Sequence, residues 1–224
     1  MGLARGGIVA RMLGAPDGPR VVVFDVGETL VDETRSWSAV ADAAGVTTLT
    51  LFGALGVLIE RRADHRQVWE LLGVARPQMT VDIRPHDLYP DVARNLAALA
   101  TAGLQIGLAG NQPDGAEAAL ARLGLPVAFI ASSARWGVEK PSPAFFARVV
   151  EAAEAPAARI AYVGDRLDND ILPARDAGMF TVFLRRGPWG HVHAHWPQAA
   201  LADARIDSLD ELSPVLERWC AQSG

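Results

Sequence analysis

The sequence predicts an α/β protein, a Rossmann-like parallel sheet with helices on both faces and a helical insert after the first strand. Three observations predict it. Five apolar runs of strand length recur along the chain, helical patterns separate most of them, and the interval from about Ser36 to His86 carries helical patterns alone. Alternating strand and helix implies right-handed crossovers and parallel pairing, with ligands bound outside the carboxyl ends of the strands.

Residues 1–19 contain Arg5 and Arg11 but no apolar core of signal-peptide length, so they are expected to form a loose amino-terminal extension. The run VVVFDV (21–26) is the first strand and sets Asp25 at its end. The core is expected over 20–35 and 87–224, with 36–86 as the insert, whose helical patterns are WSAVADAAG, LFGALGVLIERR and DHRQVWELLG. The stretch TLTLFGALGVLIE is closed by Glu60, Arg61 and Arg62 after too few residues to span a bilayer, and reads as a buried helix. A basic face there, with Arg61, Arg62, His65 and Arg66, is the ordinary pattern of a solvated helix and could also meet an anionic substrate.

After Pro90, DVARNLAALATAG offers Asp91 as a cap and stops at Gly103, before the second strand LQIGLAG (104–110). DGAEAALARLG ends at Gly124 and leads to the third strand, VAFIAS (127–132). SPAFFARVVEAAEA opens with Ser142 and Pro143, which suits a helix start, and precedes the strands RIAYVG (159–164) and FTVFLR (180–185). SLDELSPVLERW supplies a last amphipathic helix. In HVHAHW, His191, His193 and His195 would share one face in an extended segment and could bind a metal, but the flanking GPWG and Trp196-Pro197 read as loop. Trp37, Trp69 and Trp219 are expected to pack on apolar faces, and Trp136 to border the pocket near Lys140.

At 224 residues, with 50% hydrophobic and 21% charged, the chain suits one core plus an insert. A net charge of -5 shows no basic excess for a nucleic-acid backbone. The single cysteine, Cys220, cannot close an internal disulfide, so a cytoplasmic protein without a membrane partner is expected, its oligomeric state left open.

Asp25 and Asp165 stand at strand ends, with Asp168 and Asp170 in the turn after the second of them. One such acid is commonly a helix cap or a solvated charge. Asp25, Asp165 and Asp170 converging at one sheet edge would raise one another's pKa unless a cation offset the charge, and magnesium suits an oxygen-only site. Lys140, in GVEKPSPAFF between the acidic strand ends, could reach that pocket and balance an anionic substrate. Gly110 and Asn111, in GLAGNQ, can present a backbone amide and a side-chain donor to an oxyanion.

The order of FDVGETL, AGN, VEKPSP and GDRLDND followed by ARDAGM resembles the haloacid dehalogenase-like hydrolase superfamily over about residues 20–217. The resemblance implies a helical cap after the first motif, a Mg2+ cofactor and a small phosphorylated substrate. It implies that Asp25 attacks phosphorus to form an aspartyl-phosphate and that Asp25, the Gly27 carbonyl, Asp165 and Asp170 hold the metal. It further implies that Lys140 holds Asp25 and the phosphoryl oxygens while Thr29, Gly110 and Asn111 position the substrate.

Two positions depart from the pattern. Phosphatases of this superfamily usually carry a second aspartate two residues after the first, as acid for the leaving group and base for water; here that position is Gly27. Glu28 is one position out of register, so an aspartate placed at 27 is expected to raise alkyl phosphate turnover by up to about 10²-fold. The second motif usually has Ser or Thr where this chain has Gly110. Gly27 favours a 2-haloacid dehalogenase, whereas the acidic GDRLDND favours a metal-dependent phosphatase. A phosphonatase would call for a lysine in the insert, which has none, and a binding or regulatory protein with a degraded site remains the alternative from a different class.

Overall fold

The computed structural model describes residues 18–78 and 81–222, so the extension expected over 1–19 falls, apart from its last two residues, outside the described residues. Among the described residues six strands form one parallel sheet: β1 (Val21–Phe24), β2 (Gln105–Gly110), β3 (Phe129–Ser132), β4 (Ile160–Gly164), β5 (Phe180–Leu184) and β6 (Ala204–Ile206). Their spatial order is β3-β2-β1-β4-β5-β6. Phe24 pairs with Leu108 on one side and Val163 on the other. The strand order reverses between β1 and β4, where a crevice opens at the carboxyl edge and where Asp25 and Asp165 emerge side by side.

The helices, in chain order, are α1 (Thr34–Ala43), α2 (Thr48–Glu60), α3 (Val68–Leu71), α4 (Val92–Thr101), α5 (Ala116–Ala121), α6 (Ser133–Trp136), α7 (Pro143–Ala153), α8 (Leu172–Asp176), α9 (Gly187–His193) and α10 (Leu212–Gln222). Side chains alternate across β1, so each residue chooses a layer by parity. Val22 and Phe24 pack with Leu96 and Leu99 of α4 and Val215 and Leu216 of α10. Val21 and Val23 pack with Phe145, Phe146 and Val149 of α7 on the opposite face. All four strand residues are buried, which is why the run is uninterruptedly apolar.

Between β1 and β2, Val40, Leu51, Leu55, Leu58, Val68 and Trp69 make a separate apolar cluster that Trp189 of α9 joins. The excursion leaves and returns at one place. Val31 bridges Leu88 in antiparallel sense, Asp32 N–H donates to Asp87 C=O at 2.8 Å, and Arg35 forks onto the Asp87 carboxylate at 2.9 and 2.5 Å. The apolar stretch of α2 buries Leu51, Leu55, Leu58 and Ile59, and no single helix among the described residues is long and apolar enough to cross a membrane.

Three local expectations change. DHRQVWELLG forms a 3₁₀ turn, His65–Gln67, and only one α-turn, because Asp64 caps the first through Arg66 N–H and Gly73 ends the second at positive φ. GPWG opens helix α9 rather than forming a loop, with Pro188 in its first turn where no intrahelical N–H is needed. In a helix two positions turn the side chain to the opposite side, so His191 is exposed while His193 is buried, and the three histidines share no face. Trp136 packs edge-on against Phe145 at 5.1 Å and is not among the residues lining the pocket.

Candidate active site

Asp25 is placed by the sheet itself: its N–H donates to the Val163 carbonyl at 2.9 Å, one step beyond the last paired residue of β1. Lys140 arrives from the loop before α7 and is clamped by Asn111. The Lys140 N–H donates to Asn111 Oδ1 at 2.7 Å, and Asn111 Nδ2 donates to the Lys140 carbonyl at 2.9 Å. The second motif's Asn111 thus positions the lysine, and it also lines the cavity with one Nδ2 N–H beyond this clamp. Lys140 Nζ then donates to Asp25 Oδ1 at 2.5 Å and to Asp170 Oδ1 at 2.6 Å.

Asp170 lies in a single π-helical turn, Leu167–Ile171, that runs into α8, and its second oxygen accepts from Arg166 N–H at 3.0 Å. It fits only because residue 164 is glycine: a Cβ there would lie 2.6 Å from Asp170 Cβ. Gly110 is similarly constrained, since a Cβ on it would fall 2.7 Å from Asp25 Oδ1, which fills the space a serine or threonine would take. Oxygens of Asp25, Asp165 and Asp170 all lie within 4.8 Å of one another.

These charges are out of water, with Asp25 7%, Lys140 4%, Asp165 1% and Asp170 0% exposed. Burial opposes the lysine's charge, yet Asp170 and Asp25 outweigh it and hold the Lys140 pKa well above the usual lysine range. Burial, then Asp170 and Asp25, push the Asp165 carboxyl well up. Burial also lifts Asp170 to about 6, against the opposing pull of Lys140. One lysine thus leaves the cluster short of positive charge, and Asp165 Oδ2 is buried with no hydrogen-bond partner. Three oxygen donors, one of them orphaned, fit a hard divalent cation.

Asp25, Gly27, Asn111, Lys140 and Asp165 line one cavity of about 130 Å³, which opens beside a cleft of about 1030 Å³. Thr29 is fully buried, is not among the cavity-lining residues, and its Oγ1 has no hydrogen-bond partner. Glu33 and Trp37, from the segment between β1 and β2, and Arg166, Asn169 and Trp189 line the same cavity and were not singled out by sequence as site residues; His65, of the basic face that could meet an anionic substrate, lines it as well. Arg62, Arg66 and Arg76 line the wider cleft; Arg61 is not among its lining residues. Burial, then Glu28, push the half-buried Glu33 carboxyl up to about 7, with Trp37 opposing and Asp25 adding. Glu28 lines the cavity too, but its oxygens are engaged, accepting from Glu33 N–H at 2.9 Å and Tyr89 O–H at 2.7 Å. His193 holds no site residue of the cluster; its Nδ1 accepts from Leu167 N–H at 3.0 Å.

Comparison with known proteins meets this geometry from outside. A glyceraldehyde 3-phosphate phosphatase of Methanopyrus kandleri is 39% identical over 135 residues, 57% of this chain and 56% of that one, so the match spans little more than half of each. A phosphoglycolate phosphatase of Pseudomonas syringae is 28% identical over 220 residues, covering 88% of this chain and 79% of the relative. The fold superposes on a magnesium-bound HAD hydrolase of Bacillus subtilis with a TM-score of 0.66 at 17% identity, over 89% of this chain and 99% of that one. The family model of the haloacid dehalogenase-like hydrolases matches residues 19–178, and the chain belongs to that family.

Proposed function

We propose that the protein is a magnesium-dependent phosphatase that acts on a small phosphorylated metabolite through an aspartyl-phosphate on Asp25. The observation that carries the reading is the buried set of Asp25, Asp165 and Asp170 around Lys140, at the floor of one cavity. The relatives named as phosphatases of glyceraldehyde 3-phosphate and phosphoglycolate support the substrate class. In this reading an Asp25 oxygen bonds to phosphorus as the bond to the leaving oxygen breaks, and water then attacks phosphorus to free Asp25 and inorganic phosphate. Lys140 holds Asp25 in line and meets the phosphoryl oxygens, Asn111 sets the lysine, and Gly110 leaves room for the nucleophile. Thr29 lies buried in the loop after Asp25, its carbonyl accepting from Arg186 Nη1 at 2.9 Å. Magnesium, held by Asp25, Asp165, Asp170 and the Gly27 carbonyl, would offset the charge of the phosphoryl group. Residues 36–86 serve as the cap, since Trp37 and His65 line the cavity with Asp25.

Gly27 also favours a second reading, a metal-independent 2-haloacid dehalogenase. A screen of phosphorylated metabolites and 2-haloacids, with magnesium and with chelator, tests the two. The expected outcome is phosphate release that requires magnesium and is abolished by Asp25→Asn. Halide release in chelator would favour the second reading, and no turnover on either class would leave a binding protein.

A further inference from the structure

Gly27 stands where the family pattern calls for a second carboxylate, yet the space above it is filled. A Cβ built on Gly27 would lie 2.7 Å from Cδ, 2.7 Å from Oε1 and 3.0 Å from Oε2 of Glu33. The carboxyl of Glu33 therefore occupies the volume that a side chain at 27 would occupy. It also lines the cavity that holds Asp25, Lys140 and Asp165.

The loop is built to put it there. Glu28 sits at φ 53°, and the N–H groups of Leu30 and Val31 both donate to the Val26 carbonyl, at 2.9 and 3.0 Å, so the chain turns back on itself after Asp25. Glu33 then stands at the N-cap position of α1 without a side-chain capping bond, its N–H donating to Glu28 Oε1 at 2.9 Å. Trp37 Nε1, one turn along α1, donates to Glu33 Oε2 at 3.3 Å, while no donor among the described residues engages Oε1. Glu28, the acid nearest in sequence, has both oxygens occupied by the loop and by Tyr89.

We propose that Glu33 is the acid–base residue of this active site, its carboxyl standing in for the one that Gly27 cannot supply. The inference rests on the phosphatase reading. As the Asp25–phosphorus bond forms and the ester bond breaks, the Glu33 proton passes to the departing oxygen. The resulting carboxylate takes a proton from the water that next attacks phosphorus, which restores the starting state as the Asp25–phosphorus bond breaks. The placement also changes what an aspartate at 27 is expected to do: in the wild-type background it would displace the Glu33 carboxyl, exchanging one acid for another, and gain little.

The test compares an alkyl with an aryl phosphate, in magnesium, for the wild type, Glu33→Gln, Glu33→Ala and Glu33→Ala combined with Gly27→Asp. Because kcat/KM reports steps only through loss of the leaving group, Glu33→Gln should lower it by about 10²- to 10⁴-fold for the alkyl ester. For the aryl ester, whose phenoxide leaves without a proton, the loss should be about tenfold or less. The aryl kcat should fall further, because water attack loses its base. Phosphorylated protein should then accumulate, seen as a burst of phenol and as one added phosphoryl group in the intact mass. Gly27→Asp should recover alkyl kcat/KM in the Glu33→Ala background by more than it does in the wild type. Equal losses for the two esters, or no trapped phosphoprotein, would overturn the role of Glu33 while leaving the phosphatase reading intact. A wild type that hydrolyses no phosphate ester would overturn both.

Discussion

Magnesium should stabilise this protein by an amount that grows with pH, and the size is set by how Asp170 is held. Burial lifts its pKa from the usual 3.8 to about 6, with Lys140 opposing and Asp25 adding. A carboxyl raised in the folded state contributes stability that is full below its unfolded pKa and is lost as pH rises through the folded one. About two pH units at about 1.4 kcal/mol each give a loss of about 3 kcal/mol between pH ~4 and ~7 from Asp170 alone. Asp165, pushed the same way by burial and by its neighbouring carboxylates, adds to it. A cation that binds the ionised carboxylates removes this cost, so the increment in unfolding free energy on adding magnesium should climb by up to about 1.4 kcal/mol per pH unit for each proton displaced. Urea denaturation in chelator and in magnesium, at steps from pH ~4.5 to ~7.5, measures it. Taking the difference at each pH cancels groups outside the site. His193 is one of these: burial pushes its imidazole down to about 4, so its contribution is present above pH ~6.5 and is lost as pH falls. An increment that is absent, or equal at the two ends of the range, would refute the metal site built from these carboxylates.

Contacts within the cluster set two further outcomes. Lys140→Met should destabilise the protein in chelator by about 3–5 kcal/mol, because it strands Asp25 and Asp170 without their buried cation, and magnesium should restore part of the loss in the same urea titration. Gly164→Ala should cost about 1–3 kcal/mol in thermal or urea unfolding and weaken magnesium binding by calorimetry, because the added methyl meets Asp170 Cβ, which cannot swing aside as a side-chain tip could.

The sheet and two of its charged residues were legible because they obey the strongest rule available: buried parallel strands are unbroken apolar runs, and the residues just past their carboxyl ends face the crevice. Asp25 and Asp165 were read in that way, Asp170 from the turn that follows Asp165, and Lys140 from its place between the acidic strand ends and just before a helix start. β6 was missed because it is a three-residue edge strand with Arg205 exposed at its middle, too short and too polar to stand out from loop. Asn111 was legible as a residue but not in its contacts; that both ends of its amide close on the backbone of Lys140 depends on two loops meeting from different crossovers. α9 was read as loop because GPWG looks like a turn, whereas its helix is secured by Trp189 entering the cluster of α1 and α2, a tertiary contact that local propensity cannot register.

Glu33 was illegible for a related reason, and it shows the blind spot of spacing arguments. A search for a second carboxylate two residues after Asp25 finds glycine and stops. The relevant neighbour lies eight residues after Asp25 in sequence, returned to position 27 by a left-handed residue at Glu28 and two N–H donors on one carbonyl. A side chain at 27 and the Glu33 carboxyl cannot share that volume, so the glycine and the glutamate are two parts of one arrangement: the first makes room and the second fills it. Loss of a residue from a motif is therefore read safely as loss of its chemistry only after asking which side chain now occupies the space.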